Sequence, residues 1–247
     1  MESERFNMGT DRRNLIICGL QKTTLLDFPG HLAATIFLGG CNFRCPFCHN
    51  SGIVDGMRQP GSLEEGKVME FLEKRRNVLQ GVCISGGEPT LQPEGLERIL
   101  RFVHSMGLLA KLDTNGYRPE VIRHLTEEGL LDYIAMDIKA GQENYEKASG
   151  VRGIKMEPIR ESVRLLKEGN VPYEFRTTVV KGIHSESDFK SIGPWISGCP
   201  RYYLQSYEEM ELASWQERYG SFSKDELTGF AELVRPFVGQ VSLRGID

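Results

Sequence analysis

Three cysteines near the start of the chain are the residues best suited to carry chemistry. Cys41, Cys45 and Cys48 follow one another with the spacing C-x3-C-x2-C. Thiolates are the usual ligands of iron-sulfur clusters, and a cluster of four irons held by three thiolates keeps one iron without a protein ligand. The spacing therefore predicts a [4Fe-4S] cluster that has one iron open to a further molecule.

A structural zinc site is the alternative that this spacing leaves open. Cys45 and Cys48 form a C-x2-C pair, and Cys41 with His49 would complete four ligands. The chain would then be a structural or sensing module rather than an enzyme. Such sites normally carry a second C-x2-C or H-x3-H pair, and the sequence has none. The remaining cysteines, Cys18, Cys83 and Cys199, are isolated among apolar residues and receive no role.

Apolar runs that alternate with amphipathic stretches must position these residues. The predicted strands are residues 33–38, 82–85, 110–112, 133–138, 173–180 and 202–205, with a further candidate strand within 14–30. The predicted helices are residues 63–76, 93–106, 119–128, 157–168, 186–196 and 224–237. This alternation implies right-handed βαβ crossovers and a parallel sheet.

Polar residues recur at the end of each predicted strand. They are Cys41 after Gly39-Gly40, Ser85-Gly86-Gly87-Glu88, Asp113-Thr114-Asn115, Asp137 with Lys139, Arg176-Thr177-Thr178, and Gln205-Ser206. In barrel-like α/β folds the carboxyl ends of the strands meet at one mouth. We therefore expect a single α/β domain with a partial (β/α)6 TIM-like barrel, and a doubly wound open sheet is the alternative. Within it, residues 1–30 form an N-terminal extension, 31–210 the core, and 211–247 a C-terminal helix and strand.

Charge and hydropathy exclude two classes of partner. The formal net charge of the 247 residues is -4, with no basic run interleaved with aromatics, so we expect no nucleic acid partner. No apolar run approaches the roughly 20 residues that span a bilayer, and the N-terminus is charged and polar. We therefore expect a cytoplasmic protein, in which cysteines stay reduced and available to a metal.

Several motifs together resemble a known superfamily. The C-x3-C-x2-C loop, with Phe47 before its last cysteine, resembles the signature of radical S-adenosylmethionine (SAM) enzymes, and the segment 85–89 resembles their glycine-rich SAM-binding strand end. The segments 27–30, 112–116, 135–139 and 174–178 resemble activating enzymes of glycyl radical enzymes. Over about residues 14–210 the chain resembles those that activate anaerobic ribonucleoside-triphosphate reductase.

This resemblance implies both cofactors and an activity. Cys41, Cys45 and Cys48 would hold the cluster, and SAM would bind its open iron. The implied cofactor-binding residues are Phe47, Gly86, Gly87, Glu88, Asp113, Asn115, Asp137, Lys139 and Arg176. An electron from a donor such as flavodoxin or ferredoxin would cleave SAM, and the resulting radical would take a hydrogen atom from a glycine of a partner enzyme. No catalytic acid or base is required, and a radical SAM enzyme acting on a small molecule or peptide is the alternative.

Simpler structural roles remain open for some of these residues. Gly86-Gly87 could form an ordinary turn, Asp113 could cap a helix, and Asp137 with Lys139 could form a surface ion pair. Arg176 differs, because a charge inside an apolar strand is costly unless it is paired. Related enzymes can place a histidine on the last strand, where this chain has Gln205.

Overall fold

One eight-stranded sheet organises the protein. The computed structural model of the chain describes residues 15–56, 61–208 and 219–246. The strands are β1 (Ile17–Thr24), β2 (Ala33–Leu38), β3 (Gly81–Gly86), β4 (Leu109–Thr114), β5 (Tyr133–Asp137), β6 (Tyr173–Val179), β7 (Arg201–Ser206) and β8 (Gln240–Arg244). Strand β1 is antiparallel to β2, and every later strand is parallel to the one before it.

The order of the strands decides between the two expected architectures. Neighbouring strands follow the sequence from β1 to β8 without a reversal, whereas a doubly wound sheet reverses its order at a switch point. The predicted partial barrel is therefore confirmed. The six predicted strands are β2 to β7, the candidate strand within 14–30 is β1, and β8 adds a seventh parallel strand at the other edge.

Helices connect the parallel strands. They are α1 (Glu65–Arg75), α2 (Pro93–Ser105), α3 (Pro119–Glu127), α4 (Tyr145–Ser149), α5 (Glu157–Glu168), α6 (Glu186–Trp195) and α7 (Lys224–Val234). Proline in the first turn starts α2, α3 and α5, because a residue there needs no N–H partner within the helix. Capping boxes built on Ser185 and Ser223 start α6 and α7. All helices except the short α4 were predicted.

The hydrophobic core lies between the sheet and its helices. Alternate strand residues such as Ile36, Ile84 and Leu112 are fully buried against helical side chains. Side chains of a strand point alternately to its two faces, so the intervening residues point into the barrel. Many of these intervening residues are polar or charged, among them Lys111 and Glu174. The barrel interior is thus the polar side of the sheet.

The three predicted segments of the chain contribute unequally to this fold. The N-terminal extension supplies β1, and the C-terminal segment supplies α7 and β8. Residues 1–14, 211–218 and 247 of those segments lie outside the described residues. Within the described residues, no helix has both the length and the apolar composition to cross a membrane.

Candidate functional site

A cavity of about 240 Å³ lies at the carboxyl ends of the parallel strands. It is lined by Cys41, Phe43, Cys45, Phe47, Cys48, His49, Asn50, Ser85, Gly86, Gly87, Asp113, Thr114, Asn115, Asp137, Lys139, Arg176, Thr178 and Gln205. The structure thus brings together the three cysteines and every implied cofactor-binding residue except Glu88.

Backbone hydrogen bonds hold the cysteine loop at the end of β2. Gly40 and Cys41 donate their N–H groups to Ile53 and Val54, at 2.8 Å in each case. Arg44 donates its N–H to the carbonyl of Ser149, the last residue of α4, also at 2.8 Å. These bonds fix the start and the middle of the loop, so its thiols are presented to the cavity by a constrained backbone.

Burial favours the protonated form of two of the three thiols. Burial raises the pKa of the Cys41 thiol, and it raises the pKa of Cys45 to about 12. The Phe43 N–H lies 3.3 Å from the Cys41 sulfur and donates to it, as backbone groups do to cluster thiolates. Phe47, within the same loop, is also buried.

The side-chain amide of Asn42, beside Cys41, is a buried donor that a cluster would satisfy. Asn115 donates from Nδ2 to Oδ1 of Asn42 at 2.7 Å. The Nδ2 of Asn42 is buried and has no hydrogen-bond partner within the part of the chain that the structure describes. Buried donors without an acceptor are uncommon. A sulfur of a cluster held by Cys41 would provide one.

A single metal ion fits this site less well than a cluster does. Among residues 15–56, 61–208 and 219–246, no group of three or more His, Cys, Asp or Glu side chains converges closely enough to hold one ion. Four zinc ligands would have to meet at one point. A four-iron cluster is larger and separates its thiolates more widely, so this finding concerns only the single-ion alternative.

The glycine pair brings the end of β3 against the cysteine loop. Glu88 donates its N–H to the Gly40 carbonyl at 2.7 Å. A Cβ at Gly87 would lie 2.1 Å from that same carbonyl oxygen, and a Cβ at Gly86 would lie 2.3 Å from the backbone of Leu38. Glycine is therefore required at both positions because the neighbouring backbone lies so close. Both glycines also line the cavity.

Glu88 occupies a different place from the one expected. It is fully buried behind the cavity wall, and its carboxylate accepts hydrogen bonds from both the N–H and the hydroxyl of Thr90. The Thr114 hydroxyl and the Asn115 N–H complete its partners, at 2.8 and 2.7 Å. Its oxygens are thus used within the protein, and Glu88 ties the end of β3 to that of β4 rather than facing a ligand.

A row of alternating charges crosses the floor of the cavity. Arg176 on β6 donates from Nε to Asp137 at 2.9 Å and from Nη1 to Asp113 at 3.3 Å. Lys139 pairs with Asp137 at 2.9 Å, and Lys111 pairs with Asp113. Arg176 thus lies inside the barrel with its charge paired, and its expected contact with SAM stays a prediction. Asp113 does not cap a helix, and the pair of Asp137 with Lys139 faces the cavity.

The cations of this row keep its carboxylates ionised. Burial by itself raises the pKa of Asp113, but Arg176 and Lys111 outweigh it and leave the pKa below its ordinary value. For Asp137, burial is likewise outweighed by Arg176 and Lys139, and its pKa also lies below its ordinary value. Ionised carboxylates can accept hydrogen bonds from hydroxyl or ammonium groups of a ligand.

Two residues beside the site, Lys111 and His184, were not predicted from the sequence. Lys111 lies beneath Asp113, and the two-residue spacing along a strand was the available signal, because it places both side chains on one face. His184 accepts the Val180 N–H at Nδ1 and donates from Nε2 to the Lys139 carbonyl at 2.8 Å. Nothing in the sequence distinguishes this lone histidine from a surface one.

The segment 27–30 follows β1 and lies at the opposite end of the sheet from the cavity.

Comparisons with known proteins agree with this geometry. The family model of the radical SAM superfamily matches residues 35–192. A candidate glycyl-radical enzyme activating enzyme of Methanocaldococcus jannaschii is 30% identical over 239 residues, covering 94% of this chain and 97% of that protein. The pyruvate formate-lyase 1-activating enzyme of Escherichia coli K12 is 32% identical over 170 residues, covering 66% of this chain and 67% of that protein. Among solved structures, TYW1 with a lysine-pyruvate adduct bound shares the fold, with a TM-score of 0.61, 19% identity, and coverage of 83% of this chain and 73% of that one.

Proposed function

The chain belongs to the radical SAM superfamily, and we propose that it installs a glycyl radical on a partner enzyme. Enzymes of this superfamily use a [4Fe-4S] cluster and SAM. The observation that carries the proposal is that three thiols from one loop and a row of paired charges line the same cavity at the carboxyl ends of the strands.

In this proposal, Cys41, Cys45 and Cys48 would hold the cluster and leave one of its four irons without a protein ligand. When bound, the cluster and SAM would supply radical chemistry: with one electron from an external donor, SAM would be split at its C5′–S bond into methionine and a 5′-deoxyadenosyl group, which would leave as 5′-deoxyadenosine with a hydrogen atom from the glycine Cα. The chain's own residues bind, orient and shield these groups. Phe47, buried at the edge of the loop, keeps water from the cluster.

The remaining cavity residues bind SAM. Gly86 and Gly87 present backbone groups close to the cysteine loop, where the methionine end of SAM would lie. Asp113 and Asp137 accept hydrogen bonds from the ribose or the ammonium group, and Lys139 and Arg176 face the carboxylate. Asn115 orients the loop through Asn42. Because each of these side chains already has a partner, little reorganisation is needed on binding.

We propose anaerobic ribonucleoside-triphosphate reductase as the partner, with flavodoxin or ferredoxin as the electron donor. The motif segments 112–116, 135–139 and 174–178 support this choice. The relatives from M. jannaschii and E. coli are named as activating enzymes, which supports the general reaction and leaves the partner to experiment.

The test is anaerobic reconstitution with iron and sulfide, followed by dithionite, SAM and the candidate reductase. We expect 5′-deoxyadenosine in the solution and a glycyl radical signal in the electron paramagnetic resonance spectrum of the reductase. Cys45→Ala should produce neither. Cys199→Ala should produce both, because Cys199 is buried away from the cavity.

Each product tests a separate part of the proposal. If the reconstituted wild-type protein forms no 5′-deoxyadenosine, the radical SAM activity is refuted. If 5′-deoxyadenosine forms but the reductase gains no radical, the reductase is not the partner. The same assay with a pyruvate formate-lyase then asks whether another glycyl radical enzyme is activated, and failure there favours a small-molecule or peptide substrate.

A further inference from the structure

Lys111 is a buried charge to which the proposed chemistry gives no role. Its side chain is 1% exposed, and it lies below the cavity without lining it. Removing an ammonium group from water costs several kcal/mol unless the group is paired and hydrogen-bonded. Its partners therefore indicate what this lysine does.

The ammonium group of Lys111 lies between two strands. Its Nζ donates to Oδ1 of Asp113 and is 3.5 Å from the sulfur of Cys83, which is its direct neighbour in register on β3. Within the described ranges, Asp113 is the only carboxylate with which Lys111 forms an ion pair. Burial alone would lower the pKa of Lys111, but the Asp113 carboxylate outweighs it and holds the pKa above its ordinary value, so the group is charged.

Asp113 is held by donors from three strands. Lys111 occupies Oδ1, while Oδ2 accepts from Ser85 at 3.1 Å and from Arg176 at 3.3 Å. Arg176 is shared, because its Nε donates to Asp137 at the shorter distance of 2.9 Å. Lys111 is therefore the one cation of the row that serves Asp113 alone.

We propose that Lys111 is a positioning residue that holds the Asp113 carboxylate turned toward SAM. Without Lys111, the only cation left to Asp113 would be the guanidinium of Arg176, which Asp113 shares with Asp137. The Asp113 carboxylate would then be free to rotate toward Arg176. The inference rests on the proposed function, because it assumes that Asp113 contacts SAM. Lys111 itself acts through Asp113 and does not reach the cavity.

A double-mutant cycle on SAM binding tests the proposal. The dissociation constant is measured with reconstituted, oxidised protein, in which no turnover occurs, for wild type, Lys111→Met, Asp113→Asn and the double variant. We expect Lys111→Met to weaken SAM binding about tenfold, as loss of one charge-assisted hydrogen bond does. The double variant should bind no more weakly than Asp113→Asn alone, because the lysine then has no carboxylate to orient.

Matched variants separate this role from a structural one. Cys83→Ala removes the neighbouring sulfur and keeps the ammonium, so its SAM affinity should stay within about twofold of wild type. Lys111→Gln keeps a donor without the charge and carries the test if Lys111→Met does not fold, with an intermediate loss expected. Wild-type affinity in the lysine variants, or losses that multiply in the double variant, would overturn the inference. A wild-type protein that binds no SAM would instead overturn the proposed function.

Discussion

The carboxylates near the cavity differ in their partners and in whether they line the cavity. Asp113 and Asp137 are paired with cations and line the cavity, whereas Glu88 is closed within four hydrogen bonds from neighbouring backbone and hydroxyl groups. A buried carboxylate that accepts several bonds stabilises the fold, since leaving those donors unmatched costs about 1–3 kcal/mol for each group. Glu88 therefore contributes to the site by holding two strand ends.

Glu88→Gln should lower the free energy of unfolding by about 2 kcal/mol, because an amide cannot accept from every donor around Glu88. Urea unfolding of the cluster-free protein at pH 7.5 measures this change. Glu73→Gln on the exposed face of α1 is the matched control and should lie within about 0.5 kcal/mol of wild type. An undiminished unfolding free energy in Glu88→Gln would contradict the structural role.

The role of a single residue could be predicted where it follows from local spacing in the sequence, and not where it depends on distant contacts. The cysteine spacing and the strand-end Asp113 and Asp137 were predictable, because polar residues directly after apolar runs mark the mouth of a barrel. The partners of Glu88 were not predictable, because the bonds reach residues 26 and 27 positions later. Lys111 was hidden by its apolar neighbours, although its spacing from Asp113 was a usable signal.

At the scale of elements, the site depends on how closely two strand ends approach. The end of β3 packs on the cysteine loop so tightly that Gly87 leaves no room for a side chain. Strands β2 and β3 are paired along their full length, which brings Phe37 opposite Ser85 and Leu38 opposite Gly86. Any displacement of β3 therefore also displaces the loop that carries the thiols.

Gly87→Ala should consequently destabilise the protein by about 2 kcal/mol or more and reduce the iron bound on reconstitution, because its Cβ would overlap the Gly40 carbonyl. Gly66→Ala in α1 is the control, since nothing lies within 4 Å of its Cβ position and alanine favours a helix by up to about 1 kcal/mol. Urea unfolding and iron content are measured for both variants. Full iron binding by Gly87→Ala would show that the strand end tolerates a shift.

The elements themselves were predicted well where their patterns were long. Helices such as α2 and α5 combine a proline start with a regular apolar face, and their bounds agree with prediction to within one residue. The predicted C-terminal strand, β8, has no buried residue, so its pattern gave no sign that it would pair in parallel with β7. Its place depends on distant contacts such as Arg244 with Glu174, at 2.9 Å.

For the whole molecule, the polar interior of the barrel separates the active region from the hydrophobic core. The cavity floor consists of ion pairs rather than apolar packing, and stability comes mainly from the layer between sheet and helices. Buried polar contacts couple the site to the fold at a few points. His184 is one of these, because it joins Val180 at the end of β6 to the Lys139 carbonyl beyond β5.

This histidine should make global stability depend on pH. The Val180 N–H donates to Nδ1, so the ring is neutral, and burial lowers the pKa of His184 in the folded protein. An unfolded histidine binds a proton near pH 6.5. Below that value the unfolded chain binds more protons than the folded one, and the free energy of unfolding falls as pH falls, by at most about 1.4 kcal/mol per pH unit for one proton.

Urea unfolding of the cluster-free protein at pH 7.5 and pH 5.5 measures this dependence. His184→Gln should be less stable at pH 7.5 but should lose less stability than wild type between the two values, because an amide can donate to the Lys139 carbonyl without titrating. His124→Gln is the matched control, since that histidine is 52% exposed on α3. If His184→Gln and wild type lost equal stability on acidification, the link between this histidine and the site would not control the pH response, and the exposed ion pairs would have to account for it.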